Sequence, residues 1–135
     1  MRGPVYSKDA YHDSISLGFK VVTMAEIRQM GMQALIEHIR DRVGQAKVFV
    51  TFDVDVVDPA YAPGTGTPEV GGFTSGEAID LIHGLKGLNF VGFDVVEVLP
   101  DYDTADLTAL MAANIIYEFL SLISLNKKNP KPKSI

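Results

Sequence analysis

Three carboxylates carry the chemistry this sequence could do. Asp53 and Asp55 stand i, i+2 at the end of the apolar run Val48-Phe49-Val50-Thr51-Phe52, and Glu97 closes a second run, Leu88 to Val96. In an extended chain such a pair points to one side, about 6.6 Å apart at Cα. Short carboxylates so placed can converge on a hard cation, or bridge two cations about 3.5–4 Å apart. Without a cation, each charge raises the other's pKa. The competing reading of an isolated Asp-x-Asp pair is that both residues cap a turn. Glu97 has the geometry to hold a guanidinium through two parallel hydrogen bonds, although a surface Glu at a strand end fits the same position.

After Asp55 the chain runs to Gly72 through Asp58-Pro59, Pro63-Gly64-Thr65-Gly66-Thr67-Pro68 and Gly71-Gly72, with neither helical nor strand period. Ordered loops of this length inside a compact domain are usually functional. Asp58-Pro59 reads as turn chemistry rather than as a ligand. Asp94, inside the second apolar run, points opposite to its neighbours and is given a capping or cation-pairing role, not a catalytic one. His12, His38 and His83 fall on predicted helices away from the carboxylates, which favours structural or exposed roles.

The elements that must position these groups follow from periodicity. Ser7 caps a helix from Asp9 to about Leu17, with Gly18 as its left-handed stop. Phe19-Lys20-Val21-Val22-Thr23 reads as a buried strand. Ile27, Met30, Ala34, Leu35, Ile39 and Val43 give helical spacing over Ala25 to Val43. Lys47 to Phe52 is a strand. Thr74-Ser75-Gly76-Glu77 is a capping box opening a helix that stops at Gly87. Leu88 to Val96 reads as a strand buried on both faces. Thr104 caps a last helix, Leu107 to about Leu122, apolar on most of its circumference. The opening Arg2 to Tyr6 fits a strand or a loop. Alternating strands and helices predict an α/β fold, three-layer αβα around a parallel sheet of about four strands. Ligands in such sheets sit beyond the carboxyl ends of the strands, which puts Asp53, Asp55 and Glu97 at one rim.

Composition narrows the partners. The chain has 135 residues, 47% of them hydrophobic and 21% charged, and carries a net charge of −5. That balance argues against nucleic acid or an anionic membrane surface and favours a small cationic ligand. With no cysteine, disulfides and thiolate zinc sites are excluded. No apolar run is read as reaching the roughly 20 residues of a bilayer span, and no targeting segment is visible. A cytoplasmic or mitochondrial location is expected.

The sequence Thr51-Phe52-Asp53-Val54-Asp55, then Asp58-Pro59, Pro63-Gly64-Thr65-Gly66-Thr67-Pro68 and Gly71-Gly72, resembles the signature of the ureohydrolases, the arginase/agmatinase family. Gly92-Phe93-Asp94-Val95-Val96-Glu97-Val98, Asn114, Arg2-Gly3 and Leu17-Gly18-Phe19 extend the resemblance to about Leu122, in forms closest to agmatinase and guanidinobutyrase. The resemblance implies manganese: Asp53 bridging a binuclear centre, Asp55 binding one ion, Glu97 facing a substrate guanidinium and Thr67 beside it. It implies that water activated by the metals attacks the guanidinium carbon, so that urea leaves the amine. It also implies a homo-oligomer, trimer or hexamer.

The departures shape a second expectation. The family's remaining ligands, an upstream His and an Asp-x-His-x-Asp segment, are absent from these residues, as is its proton-shuttling His, so no catalytic residue is assigned. Family members run about twice this length, and Met1 stands where an aliphatic residue usually precedes Arg-Gly. Residues 1–125 are therefore read as the C-terminal portion of an arginase-like domain, and 126–135 as a disordered Lys/Pro-rich tail. The expectation is a chain inactive by itself, with an inert assembly module as the alternative. A phosphatase of the haloacid-dehalogenase type, with Asp53 as nucleophile, explains Asp53-x-Asp55 but not the Pro-Gly-Thr-Gly-Thr-Pro loop.

Overall fold

A computed structural model describes Gly3 and residues 7–128. The sheet comprises β1 (Lys47–Asp53) and β2 (Asn89–Val96), paired in parallel. Along β1 the alternation turns Val48, Val50 and Phe52 inward and leaves Lys47, Phe49 and Thr51 exposed. Their partners are Phe90, Phe93 and Val95. A register shift between Val48 and Phe49 inserts Val91, so Phe90 and Phe93 both face the same side although three residues apart.

Helices α1 (Ala10–Ser16), α2 (Met24–Met30) and α3 (Met32–Val43) precede the sheet. Helix α4 (Ser75–Gly84) lies between the strands in sequence, and α5 (Leu107–Lys128) follows them. Phe119 of α5 stacks on Phe93, with centroids 4.9 Å apart, and meets Phe90 edge-on at 6.2 Å. Around this aromatic group Phe52, Val54, Val57, Ala78, Ile82, Ile115 and Leu122 form the core. Helix α4 contacts both α3 and α5. Its junction with α3 is close at Gly84, where a Cβ would overlap Ile36. Arg40 Nη1 then donates to the Gly84 and Lys86 carbonyls at 2.9 and 2.8 Å, closing the end of α4. The architecture is that of a partial αβα domain on a parallel sheet.

The predicted helix ends hold in part. Ser7 Oγ accepts from the Ala10 amide at 3.0 Å, Gly18 has φ +87°, and Thr74 forms the capping box with Glu77. Other elements differ from expectation. Residues 19–23 form no strand: Phe19 is exposed, and Thr23 instead builds a capping box with Glu26 at the start of α2. The continuous helix predicted from Ala25 to Val43 breaks at Gly31, whose φ of 83° and ψ of 163° are not helical. Its apolar period survives because Ile27 of α2 and Leu35 of α3 reach one core. The described residues thus show two paired strands where about four are expected; Arg2 and Pro4 to Tyr6 lie outside them. β2 is only partly buried, and Phe49 and Val91 are exposed.

Helix α5 also departs from expectation. It is capped by Asp103, not Thr104: Asp103 Oδ1 accepts from the Thr108 amide at 3.0 Å and Oδ2 from the Ala109 amide at 2.9 Å. Its segment Leu107–Asn126 is long and apolar enough to cross a membrane, contrary to the reading that no run reaches that length. Its inner face, with Ile115, Phe119 and Leu122, belongs to the core. The helix continues to Lys128, and residues 129–135 of the expected tail lie outside the described residues.

Candidate metal-ligand rim

Strand β1 ends at Asp53, and the chain turns at once into a single 3-10 turn, Val54–Val56. The turn forms because Val54 and Val57 both enter the core and Asp53 Oδ1 accepts the Asp55 amide at 3.0 Å. Asp55 is therefore not the next outward residue of an extended strand, as its i, i+2 spacing predicts; a capped turn brings the two carboxylates together. Asp53 caps this turn, which is the capping role read for it, at the carboxyl end of β1.

The register sets Asp53 beside Val96, and Glu97 follows with φ of 65°, a left-handed conformation that turns the chain out of the sheet. Burial holds the Asp53 carboxyl above the ordinary carboxylate range. The Asp55 amide opposes this, and the charges of Asp55 and Glu97 reinforce it. Thr67 Oγ1 donates to Asp55 Oδ2 at 2.7 Å. The structure thus joins Asp53, Asp55 and Thr67 through hydrogen bonds and sets Glu97 close enough to be felt electrostatically. Among the described residues, no three His, Cys, Asp or Glu side chains form a group able to hold a metal ion.

The loop is laced from its base. Asp58 Oδ1 accepts from Ala60 N at 3.0 Å and Oδ2 from Gly71 N at 2.7 Å, bonds that hold its pKa below the usual range. This is the turn role read for Asp58. Phe73 N donates to Val56 O at 3.0 Å and Asp58 N to Phe73 O at 2.8 Å, and Arg28 Nη2 reaches Gly71 O at 2.6 Å. A Cβ on Gly72 would stand 2.5 Å from the Val56 carbonyl oxygen, so the two segments at the loop base close only over glycine.

Two residues that the sequence reading did not single out hold the other end. Thr108, fully buried, accepts the Gly64 amide at 2.7 Å, and Asp103 packs so tightly on Gly64 that a Cβ there would lie 2.7 Å from its own. An Asx residue four positions ahead of Leu107, the first residue of α5, was the available signal for Asp103; nothing local marks Thr108. Asp94 Oδ1 is buried without a hydrogen-bond partner among the described residues, so neither expected role is seen. His12 and His38 are exposed on α1 and α3, while His83 Nε2 lies 2.8 Å from Glu118 Oε2, linking α4 to α5.

A sequence model of the arginase family matches residues 1–121. The chain belongs to the arginase family. It is 47% identical over 124 residues to a guanidinopropionase of Pseudomonas aeruginosa, covering 92% of this chain and 39% of that protein. It is 43% identical over 123 residues to a mitochondrial agmatinase of Gallus gallus, covering 91% and 36%. The crystal structure of a hypothetical agmatinase from Burkholderia thailandensis superposes with a TM-score of 0.84 at 38% identity, over 95% of this chain and 38% of that one. The arginase-family chain therefore spans little more than a third of the length of these relatives.

The donors present suit a hard divalent cation such as manganese by type, since both Asp53 and Asp55 offer carboxylate oxygens. They fit it as a partial set. The crowding has a consequence for stability. A carboxylate whose folded pKa is raised costs nothing while protonated and weakens the fold as pH rises through that pKa. Asp53→Asn, which keeps the acceptor for Asp55 N, is expected to melt above the wild-type chain at pH 7 in chelator. The gap should close as pH falls toward the ordinary carboxylate range. Thermal melts followed by circular dichroism between pH 7 and 4 check this; a variant less stable at pH 7 contradicts it.

Proposed function

We propose that the whole protein is an agmatinase-like amidinohydrolase, and that this chain supplies part of its site. The reaction is manganese-dependent hydrolysis of a guanidino compound, agmatine or guanidinobutyrate, to urea and an amine. Residues 1–125 are read as the C-terminal portion of the arginase-like domain. Asp53 and Asp55 are its manganese ligands, Glu97 receives the guanidinium, and Thr67 lies beside it. The observation that carries this reading is the meeting of Asp53, Asp55 and Glu97 beyond the carboxyl ends of two adjacent parallel strands.

Manganese, when bound, supplies Lewis acidity and activates water. The chain's own residues do the rest of what is assigned here. Glu97, exposed at the rim, offers a carboxylate on which the substrate's cationic end can be held and oriented. The charges of Asp53 and Asp55 draw a cationic substrate toward the same edge, and the net charge of −5 acts in the same sense. The whole protein is read as a homo-oligomer, trimer or hexamer, in the cytoplasm or in mitochondria. The exposed face of α5 carrying Leu110, Tyr117 and Leu120 offers apolar surface for assembly.

The 135-residue chain by itself lacks a full ligand set among its described residues and is expected not to turn over. The experiment is urea release from agmatine and from guanidinobutyrate with manganese supplied, beside the Asp53→Asn chain. Equal background from both is the expected result. Release by the wild-type chain above that variant would overturn the partial-site reading.

A further inference from the structure

We propose that Thr67 is a positioning residue: its hydroxyl fixes the orientation of the Asp55 carboxylate, and the Gly64–Thr67 segment braces that ligand to the strand end carrying Glu97. This rests on reading Asp53 and Asp55 as manganese ligands, and it gives Thr67 a task separate from touching substrate. Asp55 sits in one 3-10 turn, too short to hold a side chain by its backbone alone. Its amide is tied to Asp53 Oδ1, which anchors the main chain. The Thr67 hydroxyl, 2.7 Å from Asp55 Oδ2, donates to an ionised acceptor, and such charge-assisted bonds are stronger and more directional than neutral ones.

Thr67 can impose an orientation only if it is held itself, and the loop supplies that. Three residues before it, Gly64 N donates to the buried Thr108 hydroxyl at 2.7 Å, and Gly64 O accepts from Leu99 N at 2.8 Å. Leu99 lies two residues beyond Glu97. Four residues after it, Gly71 N is held by Asp58 Oδ2 at 2.7 Å. Thr67 thus stands between two fixed points, one on the N-terminus of α5 and the exit of β2, the other on the exit of β1. The donors on both strand ends keep a constant spacing through this brace. Partners that orient a metal ligand in this way strongly affect metal affinity.

The test uses the 135-residue chain and Mn2+ alone, with binding followed by electron paramagnetic resonance and by paramagnetic broadening of amide signals. Wild type, Asp53→Asn, Thr67→Val and Thr67→Ser are compared, each with a thermal melt. Thr67→Val, an exposed and nearly isosteric change, is expected to weaken Mn2+ binding roughly tenfold at an unchanged melting temperature, while Thr67→Ser restores it to within about twofold. If Asp53→Asn weakens binding but Thr67→Val does not, or if serine fails to rescue, the positioning role is overturned and the ligand reading stands. If Asp53→Asn binds Mn2+ as wild type does, the ligand reading falls and the proposal with it.

Discussion

Phe119→Ala is expected to remove about 3–5 kcal/mol of folding stability, the usual cost of emptying a large aromatic site in a core. The side chain is 1% exposed and contacts both Phe93 and Phe90, so its loss opens a void bordered by rings that cannot all follow it inward. Single domains are typically stable by only about 5–15 kcal/mol, so the variant would lose much of its cooperative transition. The effect also reaches the rim, because Phe93 sits on β2 three residues from Val96, the register partner of Asp53. Leu120→Ala, one residue later and 54% exposed, is the matched control and should stay within about 0.5 kcal/mol of wild type. Urea-denaturation midpoints followed by circular dichroism measure both. A Phe119→Ala midpoint equal to that of Leu120→Ala would show that α5 is not the element that closes this core.

The parts legible in the sequence were those set by local rules. Thr74-x-x-Glu77 announced its helix because a capping box is complete within four residues. The alternation in Lys47 to Asp53 announced β1 and its buried face. The same rule applies at Thr23-x-x-Glu26, which caps α2, whereas the apolar run Phe19 to Val22 reads as a strand and residues 19–23 form none. Gly31 could not be distinguished from a tolerated helix glycine, since the periodicity runs straight through the break.

At the site, Asp53, Asp55 and Glu97 were readable as a group because strand ends in an α/β sheet collect at one rim. How they are joined was not. The turn at Val54–Val56 depends on two valines entering a core whose other side comes from α5, more than fifty residues later. Thr108 and Asp103 act on Gly64 across some forty residues, and no local pattern encodes a bond of that span. The Thr67–Asp55 bond, twelve residues apart, falls in the same class: the loop's composition marks it as special, while its pairing is set by the fold.

The central claim is that these residues form the C-terminal part of a guanidino-hydrolysing site, with Asp53 as a metal ligand. The most direct measurement replaces the matching segment of the Pseudomonas aeruginosa guanidinopropionase, 47% identical over 124 residues, with this chain and records urea release with manganese. The account predicts that the chimera releases urea from a guanidino compound. It also predicts that Asp53→Asn in the chimera lowers the rate at least about a hundredfold, since a direct ligand matters more than the partners that merely orient one. A folded, soluble chimera that releases no urea, or one whose rate is unchanged by Asp53→Asn, would contradict it.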